Sequence, residues 1–144
     1  MQRLNGTYIK KADTRWNLVE LLRQDIRKFK EENGCDRLVV LWAASTEIYI
    51  PLAEEHKTLE SLEKAMKDNR TDIIAPSMCY AYAALSEGAP FVMGAPNLCV
   101  DIPAMWELSA KKQVPIAGKD FKSGQTLMKT VLAPMFKTRM LGVS

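Results

Sequence analysis

The chain has 144 residues, 47% of them hydrophobic and 26% charged, with seven glycines and seven prolines. That composition excludes collagenous and generally disordered classes, and the length suits one domain that buries roughly two thirds of its unfolded surface. Twenty basic residues against 17 acidic ones give a net charge of +3, interleaved along the chain rather than gathered into the basic face that nucleic acid requires.

Residues 16 to 33, WNLVELLRQDIRKFKEEN, place Leu18, Leu21, Leu22, Ile26 and Phe29 on one helical stripe, and Asn33-Gly34 ends it. Leu38 to Ala44 form an apolar run too short and too β-branched for a lone helix, which predicts a strand covered on both faces. His56, the only histidine, stands in Glu54-Glu55-His56-Lys57 and reads as a solvated surface residue. Without a second histidine or paired cysteines, no metal site is expected.

Residues 58 to 69 predict a second amphipathic helix, and Pro76-Ser77 opens a third that stops at Gly88. PFVMGA reads as the next strand, and Asp101 as the N-cap of a helix that has Pro103 in its first turn and runs to about Lys112. VPIAG is the last strand, followed by a helix in SGQTLMKTVLAPMFKTRM that Pro134 interrupts or kinks. Strands separated by helical crossovers imply an α/β fold, a mainly parallel or mixed sheet with helices packed on it in Rossmann-like layers.

Cys35, Cys79 and Cys99 are an odd number with no CxxC spacing, so buried free thiols in a reducing compartment are expected. No run approaches 18 apolar residues and the N-terminus lacks a signal-peptide core. Neither a membrane partner nor secretion is expected, which leaves the cytoplasm.

The stretch GKDFKSGQT, Gly118 to Thr126, stands where the last strand hands over to the last helix. In open α/β sheets that is where ligands bind, and a helix start offers free N–H groups to an anion. At about 100° per residue, Gln125, Thr126 and Lys129 fall within roughly 60° of Lys122, while Met128, Val131, Leu132 and Met135 gather on another arc. One face suits a phosphorylated, hydroxylated substrate and the other suits packing; the plain alternative is a polar helix start with two snorkelling lysines. Neither GxxxxGK[ST] nor GxGxxG occurs.

DFKSGQT, together with EGAPFVMGAPN, IIAPS, VVLWAASTE and LNGT upstream, resembles the myo-inositol-1-phosphate synthase family over nearly the whole chain. The resemblance implies an isomerase that cyclises glucose 6-phosphate to inositol 1-phosphate with tightly held NAD, in a homo-oligomer. It implies a chain whose residues 1–47 close the cofactor domain and whose residues 48–144 form a catalytic and oligomerisation region. Carried over by position, Lys122 would be the electrophilic or proton-transferring lysine, with Lys129 a second cation and Asp120 beside them. Ser123, Gly124, Gln125 and Thr126 would line the phosphate end of the substrate. Thr46, Glu47, Ser77 and Gly118 would lie against the cofactor.

Plain structural readings stand beside these: Ser77 as a helix cap, Glu47 as a solvated loop acid, Asp120 as a cap. Two positions depart from the family pattern. Lys119 stands where members usually carry an acid, and Met93 where they commonly carry asparagine. The family's glycine-rich dinucleotide loop and its downstream lysine-bearing segment are absent, which implies an excised central piece that neither holds NAD tightly nor turns over. The alternatives are a non-catalytic relative serving oligomerisation or phospho-sugar binding, and an independent small phosphate-binding module.

Overall fold

A computed structural model describes residues 10–121 and 125–140. Helix α1 (Arg15–Glu32) leads into strand β1 (Val40–Trp42), a 3-10 turn (Glu54–His56), α2 (Leu59–Lys67) and α3 (Pro76–Ser86). Strand β2 (Phe91–Met93), α4 (Pro103–Lys112), β3 (Ile116–Gly118) and α5 (Gln125–Thr138) complete the order. The alternation of helix and strand is the one the hydrophobic pattern implies. The three strands pair in parallel in the order β1-β2-β3, with Leu41 opposite Val92 and Val92 opposite Ala117.

Local chemistry fixes the helix starts. Thr14 caps α1 by accepting from the Asn17 N–H, and Thr58 caps α2 by accepting from the Ser61 N–H. Pro76 and Pro103 occupy the first turns of α3 and α4, where a missing N–H is harmless. Asp101 is not the cap of α4: that place falls to Ile102, which has no side-chain cap bond. The Asp101 carboxylate instead accepts from the Cys99 N–H and pairs with Lys119.

α3 is the centre of the molecule. Met78, Cys79, Ala81, Tyr82, Ala83, Ala84 and Leu85 are all buried, because the helix is wedged between the sheet and the other helices. Its alanines let α1 and α4 come close. On the sheet face towards α3, Phe91 and Met93 are fully buried, and Val40, Trp42 and Ile116 pack at their flanks.

Among the described residues, no helix covers the opposite face. Val39 is 64% exposed and Leu41 53%, and Ala117 beyond Val92 is exposed too. The expectation of a first strand covered on both faces therefore fails, because the four helices that build the core all lie on one side. The apolar arc of α5 does not pack either: Met128, Val131 and Met135 stay exposed.

His56 also departs from expectation. It is fully buried: Nδ1 accepts from the Ala53 N–H at 3.1 Å and Nε2 donates to the Ile73 carbonyl at 2.8 Å. A 3-10 turn sends successive side chains about a third of a turn apart, so Glu54 faces solvent and the half-buried Glu55 pairs with Arg70 while the ring turns inward.

Candidate functional site

The carboxyl ends of the strands, at Trp42, Met93 and Gly118, lie side by side because the sheet is parallel and in register. Beyond them the loops after β1 and β2 and the start of the β3–α5 connection enclose a cavity of about 440 Å³ lined by Thr46, Glu47, Ile48, Tyr49, Asn97 and Lys119, among others. Ile48 and Tyr49 are 90% and 85% exposed at its rim.

Glu47 is the hub of this end. One carboxylate oxygen accepts from the Ser77 N–H at 2.9 Å. The other accepts from the Ser77 hydroxyl at 2.6 Å and the Asn97 side-chain amide at 3.0 Å. The Glu47 N–H donates in return to Asn97 Oδ1 at 3.1 Å. Ala75, at the cap position of α3, makes no side-chain cap bond, so Glu47 serves as a cap delivered from another segment and sets a negative charge on the positive end of the helix. It is neither a solvated acid nor bonded to its sequence neighbours.

Lys119 is accommodated by Asp101, whose carboxylate it meets at 2.5 Å. Burial works to raise the Asp101 pKa, but the Lys119 ammonium and the Cys99 N–H outweigh it and hold the carboxyl below its usual value. Met93, the other departure from the family pattern, is a core side chain and not a lining one. Gly118, at φ 141°, lies so close to β2 that a Cβ would come within 2.7 Å of the Met93 Cβ and carbonyl oxygen. Trp42 Nε1 is buried with no hydrogen-bond partner among the described residues, and the indole meets the Tyr80 ring edge-on at 5.1 Å.

Of the residues singled out from sequence, Thr46, Glu47 and Lys119 meet at the cavity, and Ser77 lies fully buried beneath Glu47. Asp120 is exposed with φ 68°, a left-handed conformation that aspartate tolerates. Lys129 is exposed on α5. Lys122, Ser123 and Gly124 lie outside the described residues, as do the side chains of Gln125 and Thr126.

Asn97 was missed. It stands in the GAPN string that carries part of the resemblance, yet nothing in that string tells which distant segment an asparagine will meet. Among the described residues no group of three or more His, Cys, Asp or Glu could hold a metal, and no helix is long and apolar enough to cross a membrane. A larger cavity of about 520 Å³ opens at the amino ends of the strands, near Arg27, Lys30 and Arg37. Ligands in parallel α/β sheets bind outside the carboxyl ends, which favours the smaller one.

The myo-inositol-1-phosphate synthase family model, that of an NAD-binding domain, matches residues 1–138. The chain belongs to the myo-inositol-1-phosphate synthase family. It is 78% identical over 143 residues to inositol-3-phosphate synthase 1 of Bacteroides thetaiotaomicron, covering 99% of this chain and 33% of that protein. It is 39% identical over 120 residues to inositol-3-phosphate synthase of Saccharomyces cerevisiae, covering 83% of this chain and 22% of that one. Among solved structures it superposes on inositol-3-phosphate synthase from Caenorhabditis elegans with a TM-score of 0.80 and 30% identity, over 92% of this chain and 26% of the other. A synthase-related protein from Thermotoga maritima gives a TM-score of 0.64 at 26% identity, over 88% of this chain and 32% of the other. The chain thus spans a third or less of the length of these synthase relatives.

Proposed function

We propose that the chain supplies the carboxyl-end mouth of an inositol-phosphate synthase, the place where NAD and glucose 6-phosphate meet, and part of its lysine-bearing helix. The observation that carries this reading is the convergence of three parallel strand ends on one cavity, with Lys119 on its wall. In the whole protein, residues 1–47 would contribute the end of the cofactor region and residues 48–144 the catalytic and oligomerisation region, within a homo-oligomer in the cytoplasm. That division is one of role, since β1 pairs with β2 across it.

The lining fits one end of NAD. Thr46 offers a hydroxyl, Lys119 an ammonium, and Ile48 and Tyr49 apolar cover for a flat ring. Ser77 supports from below, since its N–H and hydroxyl are already committed to Glu47. When bound, NAD supplies hydride acceptance from a substrate hydroxyl and its later return, so that it is regenerated overall.

The residues of this chain handle charge and protons. Cyclisation of a ketone derived from glucose 6-phosphate passes through an enolate, whose oxyanion needs a cation nearby. Lys122 takes that place and can pass a proton; Lys129, on α5, is a second cation. Ser123, Gly124, Gln125 and Thr126 bind the phosphate at the helix start, where N–H groups are free. Asp120 and Gly118 shape the backbone that follows β3, and Thr46 and Glu47 keep the cofactor side of the mouth polar. The 144-residue chain, without the remaining two thirds, is expected not to turn over.

Calorimetric titration with glucose 6-phosphate and with NAD separately tests the reading. Sugar-phosphate binding that disappears in Lys122→Ala is the expected result. No heat with either ligand at millimolar concentration would overturn the view of this end as a ligand site.

A further inference from the structure

We propose that Glu47 and Asn97 are a matched positioning pair, and that the segment 43–52 after β1 hangs from it. Among the described residues, every hydrogen bond made by the segment 43–52 belongs to Glu47. The loop has no helix or strand of its own, yet it presents Thr46, Ile48 and Tyr49 to the cavity at the strand ends. Two large apolar side chains held out in solvent at 90% and 85% exposure need a rigid backbone if they are to stand in one place. The pair supplies it, by tying the loop to the first turn of α3 through Ser77 and to the loop after β2 through Asn97.

The polarity of the pair is dictated. The Glu47 N–H can only donate, so Asn97 must present its oxygen there, and its amide nitrogen is thereby turned to the Glu47 carboxylate. Asn97 is 9% exposed, so neither partner can exchange the other for water without cost. Glu47 and Asn97 act on a ligand through Thr46, Ile48 and Tyr49, which makes them positioning residues and not ligand contacts. That consequence rests on the reading of this mouth as the ligand end; the pairing itself does not, and its test needs no ligand.

Each single exchange of polarity breaks the match and the double exchange restores it. In Asn97→Asp two carboxylates face each other. In Glu47→Gln an amide donor faces either Asn97 Nδ2 or the Ser77 N–H, whichever way the new amide turns. With both changes, the introduced carboxylate accepts from the backbone N–H at position 47 with one oxygen and from the introduced side-chain amide with the other. The experiment is residue-resolved amide hydrogen exchange by NMR on the 144-residue chain, with the Phe91 amide, bonded to Pro115 within the sheet, as the gauge of global stability.

Relative to Phe91, exchange at the Glu47 amide, the one N–H of the segment that donates to Asn97, is expected to rise about tenfold or more in each single variant, and to return to within about threefold of the parent in the double. Ser77→Ala, which removes one of the four bonds, is expected to raise it by a smaller factor. Unchanged exchange at position 47 in the singles, or a double variant as fast as the faster single, overturns the proposal. If neither single folds, a folded double variant supports it and an unfolded one overturns it.

Discussion

At Gly94 and Gly118 an added methyl group would meet the protein itself. A Cβ on Gly94 would fall 2.3 Å from the Phe121 ring and 2.5 Å from the Trp42 carbonyl oxygen, which accepts the Gly94 N–H. The half-exposed Phe121 ring can swing aside; the carbonyl, fixed in the sheet, cannot. At Gly118 both contacts come from Met93 and the backbone sits at φ 141°, so strain adds to collision. Gly94→Ala is expected to cost about 2 kcal/mol and Gly118→Ala about 3 kcal/mol or more, read as shifts of the urea midpoint at constant slope. The reverse order would show that the left-handed backbone at residue 118 relaxes freely.

The thiols make a prediction in pH. Burial pushes Cys79 and Cys99 from 9.0 up to about 12, since a thiolate has no water there. The unfolded chain therefore loses these protons first. Stability from the two protonated thiols is whole below about pH 9 and is lost as pH rises towards 12. Tyr82, also raised chiefly by burial, acts in the same direction. Urea unfolding at about pH 8 and about pH 10.5 is expected to show a fall that the Cys79→Ala, Cys99→Ala double variant reduces. In the native chain a disulfide reagent is expected to modify the half-buried Cys35 quickly and spare the other two.

At the scale of the element, one sheet presents two unlike faces. Phe91 is fully buried against the helices while its neighbour Val92 looks the other way, in register with the exposed Leu41. Phe91→Ala is expected to cost about 3–5 kcal/mol and Leu41→Ala less than about 1 kcal/mol, a contrast that chemical denaturation reads directly. Equal costs would mean that the open face is covered in solution.

That contrast marks how far the sequence could be read. Helix periodicity, prolines in first turns and the alternation of strand and helix gave the element order, because those signals are local. The apolar run at Leu38 to Ala44 told of burial but not of which side would be supplied with helices. His56 hid in the same way: its partners, Ala53 and Ile73, are main-chain groups with no signature in side-chain composition. The site divides likewise, since Thr46, Glu47 and Ser77 sit in strings that resemble a family, whereas Asn97 acquires its meaning only when the loop after β2 folds against the loop after β1.

At the scale of the whole molecule, the surfaces left open are of one kind. Val39 and Leu41 on the bare sheet face and Met128, Val131 and Met135 on α5 are all exposed, and among the described residues β1 and β3 each leave one edge unpaired. Parallel sheets are found with both faces covered, and open edges invite pairing with another chain. The synthase relatives are at least three times as long as the stretch matched here, so they have chain to spend on such cover. In solution the 144-residue chain has only copies of itself. It is expected to self-associate with rising concentration, and Leu41→Lys, which sets a charge at the middle of the bare face, is expected to shift it towards monomer while leaving its melting temperature nearly unchanged. Sedimentation velocity across a tenfold dilution reads the association. A parent chain that stays monomeric throughout would mean that the bare face is closed in solution by this chain's own α5, and Leu41→Lys would then lower the melting temperature instead.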